Sequence, residues 1–124
     1  SNTGEMDAGC FLEIGRCYLA SGRVNLAVIA FRSALQAKGM DQEKRKASLF
    51  HLAEAYRHLL MFDEAIEAME QLCALDVSYH DAYQFLGQLQ AERSKQGPFR
   101  TVPIAIDSVA LVRKIIETEV QGEG

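Results

Sequence analysis

The sequence predicts an all-α fold built from helical hairpins. Three observations carry that expectation. Apolar residues recur at the i, i+3, i+4, i+7 spacing of amphipathic helices, and no segment sustains the two-residue alternation of a strand. The two prolines, Pro98 and Pro103, both fall late, so residues 1–97 are free of the residue that most strongly interrupts helices. The apolar segments also come in pairs, and the pairs align with one another.

The first helix is predicted over 8–20, where Phe11, Ile14 and Tyr18 share one face. Ser21-Gly22-Arg23 breaks it. Asn25 to Lys38 is helical again, with Val24, Ala27, Val28, Phe31, Ala34 and Leu35 on one stripe and Gly39 as a left-handed C-terminal cap. Residues 40–46 are polar and charged; the Glu43-Lys44-Arg45-Lys46 run reads as a solvated helix start. The pattern resumes over 47–59 with Leu49, Leu52, Ala53 and Tyr56. After a break at Leu60-Met61-Phe62, Asp63 to Leu75 forms the fourth helix, its opening Asp63 and Glu64 favoured by the helix dipole. Asp76 to His80 connects to a fifth helix, Asp81 to Ser94, with Tyr83, Leu86, Gly87 and Leu89 in register. Gln96-Gly97-Pro98 ends it. Asp107 or Ser108 can cap a last helix running to about Glu119.

Composition bounds the function. The 124 residues suit one domain with one proper core. A hydrophobic fraction of 48% with 24% charged residues excludes an intrinsically disordered chain. Seventeen acidic against thirteen basic side chains give a net charge of −4, which disfavours a nucleic-acid binder. The longest apolar runs are a few residues, far below the roughly 20 that cross a bilayer. No signal-peptide pattern opens the sequence. Ser1-Asn2 has the look of a tag-cleavage pair, so residues 1–7 are expected to be a tag remnant or disordered start and 121–124 a disordered tail of a domain taken from a larger protein. Three cysteines give no disulfide framework. Cys10 and Cys17 on one helix are separated by about 10.5 Å of rise, too far for a disulfide. They and Cys73 are expected to be reduced and mostly buried, which favours a cytoplasmic setting.

The hairpins repeat. Gly15, Ala53 and Gly87 are small residues at equivalent places; Ile14, Leu52 and Leu86 precede them, and Phe11, Leu49 and Tyr83 lie four before. Ala27 and Ala65 lie twelve after, followed by Phe31 and Met69, then Ala34 and Leu72. The steps are 38 residues (15 to 53) and 34 residues (53 to 87). A period of 34, with these small and aromatic positions, resembles the tetratricopeptide repeat. The segments Phe62-Asp63-Glu64-Ala65-Ile66 and Asp76 to Leu86 are especially similar to it. The resemblance covers about residues 8–95 and implies an α-α superhelix of about three hairpins, at about 8–41, 46–79 and 80–120, within a domain spanning 8–120. The physical logic is independent of the family: small residues let the helices of a hairpin approach, and one hairpin cannot bury its apolar face without a neighbour.

The chain departs from the family in three places. Four extra residues around Asp41–Lys44 imply a longer loop or an extended helix. Gly39 and Val77 stand where the family often has proline. The third hairpin is degenerate, with Gln90 in place of a tyrosine and a long loop through Gly97, Pro98 and Pro103, so the 107–119 helix is expected to cap the stack.

The resemblance implies a scaffold or adaptor that binds a peptide or partner helix in a concave groove lined by the first helix of each hairpin. The matching groove residues are Leu12, Glu13, Arg16 and Leu19, then Phe50, His51, Glu54, Arg57 and His58, then Gln84, Phe85, Gln88 and Glu92. The plainer alternative is a solvated face with scattered hydrophobes. Phe50 with Arg57 makes an aromatic-plus-guanidinium anchor pair. Glu13, Glu54 and Glu92 along the groove favour a partner with some basic character. Some relatives clamp a C-terminal carboxylate with Lys and Asn; the matching positions here hold Leu12, Arg16, Phe50, Glu54, Gln84 and Gln88, which do not make that clamp.

His51, Glu54 and His58 share a helical face, but the two histidines are about 10.5 Å apart in rise and suit no single ion, so no metal is expected. No phosphate loop, nucleophile motif or paired-carboxylate arrangement is present, so neither enzymatic activity nor a cofactor is expected. The last helix carries Val109, Val112, Ile116 and Val120 on one stripe, widened by Leu111 and Ile115. It is expected to pack on the third hairpin. The alternative is that Val112, Ile116 and Val120 pair with a second copy, giving a homodimer or an intramolecular regulatory contact.

Overall fold

Asp7 starts the first helix: its carboxylate accepts the Cys10 N–H at 2.9 Å, satisfying one of the free donors of the first turn. The computed structural model describes residues 6–96. Among these the elements are α1 (Ala8–Ala20), α2 (Val24–Gln36), α3 (Gln42–His58), α4 (Phe62–Leu75), a 3-10 turn (Tyr79–Asp81) and α5 (Ala82–Gln96), with no strand. The all-helical expectation is therefore met over the described residues. The 107–119 helix, and with it Val112, Ile116 and Val120, lies outside them.

α1 pairs with α2 and α3 with α4; α3 then packs on α2, and α5 on α4. The two hairpins are copies in their backbone detail. In the first turn Gly22 N–H bonds Leu19 C=O at 3.2 Å and Arg23 N–H bonds Tyr18 C=O at 2.8 Å. In the second, Leu60 N–H bonds Arg57 C=O and Met61 N–H bonds Tyr56 C=O, both at 2.9 Å. Both are Schellman closures, with Gly22 and Leu60 at the left-handed position.

The small residues work as their register implies. A Cβ on Gly15 would lie 2.5 Å from the Phe31 ring, so only glycine lets α1 sit against this fully buried aromatic. Ala53 and Met69 occupy the same two places in the second hairpin, both at 0% exposure. The core runs between hairpins through Leu49, Leu52 and Leu72 to Leu89, each large apolar side chain contributing about 2 kcal/mol by leaving water.

Several expectations change. The four extra residues extend α3, which starts at Gln42 and not near 47, because Asp41 caps it: its carboxylate takes the Lys44 N–H and the Lys44 ammonium, each at 2.8 Å. Gly39 is left-handed (φ 80°) but lies in the connector; α2 ends earlier, at Gln36, with Ala37 as its cap. Asp7, assigned to a disordered start, is a helix cap, and the neighbouring Ala8 N–H is tied to Lys38 C=O at 2.8 Å.

Cys10 and Cys17 are exposed and Cys73 is half-buried, contrary to three mostly buried thiols. The repeat explains this. One step on, positions 48 and 55 hold Ser48 and Ala55, and the next step holds Ala82 and Leu89, all at 0% exposure against the preceding hairpin. Among the described residues no hairpin precedes α1. Tyr83 is 69% exposed despite its register.

Candidate functional site

Ridges of α3 and α5 approach one another at a cleft of about 290 Å³ lined by Phe50, Glu54, Arg57, His80, Asp81, Gln84, Phe85 and Gln88. Six of these are sequence-expected groove residues: Phe50, Glu54 and Arg57 from successive turns of α3, and Gln84, Phe85 and Gln88 from successive turns of α5. The i, i+4, i+7 and i, i+1, i+4 spacings put each set on one helix face. The 34-residue step then places the two faces side by side.

Phe50 is the centre of an aromatic cluster. Its ring centroid lies 5.8 Å from Phe85, 5.5 Å from His80, 6.0 Å from Tyr79 and 5.6 Å from His51, at edge or tilted angles throughout. Phe50 is half-buried and Phe85 is buried at 9% exposure. The Arg57 guanidinium carbon stands 5.7 Å over the Phe85 ring. Arg57 forks onto Glu92: Nε donates to Oε1 at 2.9 Å, and Nη2 donates to Oε2. That bridge joins α3 to α5 and fixes the guanidinium above the ring. A second bridge, Arg93 to Asp63, ties α5 to α4.

The remaining groove candidates are placed elsewhere. Leu12 is packed in the core at 8% exposure. Arg16 is exposed, its Nε 4.0 Å from Glu13. Leu19 is half-buried and His58 exposed, both outside the cleft. His51 turns toward α2, stacking on Phe31 with ring centroids 5.6 Å apart, while its Nδ1 meets Glu54 Oε1 at 2.7 Å. Among the described residues no group of three or more His, Cys, Asp or Glu side chains could hold a metal ion. No described helix is long and apolar enough to cross a membrane.

His80 and Asp81 line the cleft and Tyr79 packs on the Phe50 ring, although their sequence pattern is that of a plain connector. The chain folds there around Asp76, whose carboxylate accepts Ser78 N–H at 3.1 Å, Ser78 Oγ–H at 2.8 Å and the Lys46 ammonium at 3.1 Å. The Ser78 hydroxyl, and after it Lys46, hold the Asp76 carboxyl below its ordinary value. This side-chain turn makes the break that a proline makes in other repeats. His80 (φ 44°) and Asp81 (φ 58°) then take left-handed conformations that swing the His80 ring against Tyr79, 4.4 Å between centroids. Burial pushes the Tyr79 phenol above its ordinary value. A Tyr-His pair between two helices was the available signal.

Residues 47–76 match the family model described as tetratricopeptide repeat. No curated protein and no solved structure matches the chain. Repeats of this family mediate protein–protein interaction and are typically non-catalytic scaffolds. The matched span takes in most of α3 and all of α4, the hairpin whose small residues, Schellman turn and buried Met69 were described above, so this hairpin is similar to a tetratricopeptide repeat.

Proposed function

We propose that the α3–α5 cleft is a concave docking groove for a peptide or helix of another protein, with the chain acting as an adaptor. The observation that supports this is the convergence of Phe50, Phe85 and the Arg57 guanidinium on one small cleft rimmed by the Gln84 and Gln88 amides. Aromatic rings and a pre-positioned guanidinium are the groups that dominate binding energy at protein interfaces. Exposed glutamine amides carry both a donor and an acceptor and suit a partner's backbone. Because the Arg57 charge is tied to Glu92, the Glu54 and Asp81 carboxylates set the sign of the site, which favours a partner segment with a basic side chain. In this reading the domain runs over 8–120 as three hairpins, and Arg16 lies further along the same face.

Selection of a displayed random-peptide library against the whole chain tests the reading. Enriched peptides should carry Lys or Arg and should bind the Phe50→Ala and Gln84→Ala/Gln88→Ala variants about tenfold or more weakly, with helix content unchanged. Peptides that bind these variants as tightly as the unaltered chain overturn the groove. Loss of self-association on Val112→Asp, with no peptide selected, instead supports regulation through the 99–120 segment.

A further inference from the structure

The α3–α5 cleft holds one arginine of the chain itself, and the way it is held shows what the other side of the cleft can take. The Arg57 guanidinium lies 5.7 Å over the Phe85 ring and forks onto the Glu92 carboxylate. A ring face and a carboxylate together suit a planar guanidinium, which stacks on the one and makes paired hydrogen bonds to the other. Both groups on that side are thereby engaged.

The other side repeats the pairing of ring and carboxylate with no arginine of the described chain upon it. Phe50 supplies the ring; it is half-buried and lines the cleft. Two carboxylates line the cleft with it, Glu54 from the next turn of α3 and Asp81 from the 3-10 turn before α5. Glu54 is engaged, its Oε1 meeting His51 Nδ1 at 2.7 Å. Asp81 is exposed, and among the described residues its carboxylate makes no hydrogen bond and no ion pair. At about 290 Å³ the cleft is no larger than the smallest ligand pockets, roughly 300 Å³, which suits a single long side chain inserted from a segment lying across it.

Resting on the docking groove proposed above, we infer that the side chain this cleft takes is an arginine of the partner segment, and that Asp81 is the residue that selects it. The arginine stem lies along the Phe50 ring, its guanidinium forks onto the Asp81 carboxylate, and its remaining N–H donors face the Gln84 and Gln88 amide oxygens. Lysine has the charge but neither the plane nor the fork. Arg57 does not oppose a second guanidinium strongly, because Glu92 offsets its charge.

Titration of the whole chain with capped arginine, lysine and citrulline amides, followed by the backbone amide resonances, tests this. Arginine should shift the Phe50, Asp81 and Gln84 signals saturably, and lysine and the neutral isostere citrulline should bind about tenfold or more weakly. Asp81→Asn removes the charge and keeps a residue that accepts the left-handed backbone (φ 58°), so it should abolish the preference with helix content unchanged. In peptides selected on the groove, replacing arginine by lysine should cost about tenfold in the unaltered chain and little in Asp81→Asn. Arginine shifts absent from the cleft, equal binding of the three amides, or a preference that survives Asp81→Asn each overturns the inference; selected peptides that still need Phe50 would then leave the groove standing. Peptides indifferent to Phe50→Ala overturn the groove and the inference together.

Discussion

Leu60 holds, in the second hairpin, the left-handed backbone position that Gly22 holds in the first, 38 residues earlier, with φ of 60° against 83°. The two turns share their hydrogen bonds, so the conformation is set by the closure of the hairpin and not by the residue. For glycine it is free of strain; for leucine the Cβ crowds the following carbonyl, costing about 1 kcal/mol. Leu60 is half exposed and loses little packing on truncation. Leu60→Gly should therefore raise stability by about 1 kcal/mol, and Gly22→Ala should lower it by a similar amount. Urea unfolding followed by circular dichroism checks both; a destabilised Leu60→Gly would show that the side chain matters more than its backbone strain.

Gly15 and Gly87 occupy equivalent helix positions but should answer in opposite directions. An added methyl at Gly15 meets Phe31 at 2.5 Å, and Phe31 is fully buried with no room to withdraw. Gly15→Ala should destabilise by about 2 kcal/mol, the range for overpacking a filled core, and Phe31→Leu should relieve part of the clash in the double variant. An added methyl at Gly87 would meet nothing within 4 Å among the described residues, and Ala53 shows that the position accepts alanine. Gly87→Ala should gain up to about 1 kcal/mol of helix propensity. Thermal melts of the three variants decide.

The repeat register makes much of this legible from the residues alone. Phe31, Met69 and the small residues beside them can be placed because interior packing has one solution for a helical hairpin. The same register brings Phe50, Glu54 and Arg57 beside Gln84, Phe85 and Gln88. It could not foresee His80 and Asp81, since successive left-handed residues outside glycine follow from a tertiary constraint, here the Asp76 turn and the Phe50 cluster. Nor did it foresee that Arg57 would be neutralised by Glu92, because a side-chain bridge between separate helices leaves no periodic trace. Leu12 shows the converse: its place in the register matches Phe50, yet it is buried.

Ser48 is fully buried in α3, and its hydroxyl has no hydrogen-bond partner. The equivalent place in the third hairpin is Ala82, also at 0% exposure. A methyl group therefore fits this site, and replacing the hydroxyl removes an uncompensated desolvation while improving helix propensity. Ser48→Ala should stabilise by about 1 kcal/mol, with the denaturant slope unchanged. A loss of stability in the same urea experiment would mean that the hydroxyl finds a partner.

Acid sensitivity should report on the caps and the connector together. Hydrogen bonds from Cys10 to Asp7, from Lys44 to Asp41 and from Ser78 to Asp76 each hold a carboxyl below its ordinary value of 3.8. A carboxyl whose folded pKa is depressed binds its proton more readily in the unfolded chain. Its contribution is therefore fully present well above pH 3.8 and is lost as pH falls through the lower folded value. Lys44 and Lys46 are raised by their carboxylate partners, so their contribution is present below the ordinary 10.5 and is lost at higher pH. The chain should thus hold a stability plateau through neutral pH and weaken on both sides. Asp76→Asn removes the one carboxylate that both shapes the cleft connector and bridges to Lys46, so it should shallow the acid limb of the profile and also the alkaline limb. Denaturant midpoints measured across the pH range test this; an Asp76→Asn curve parallel to that of the unaltered chain at every pH would show that Asp76 acts through its turn geometry alone.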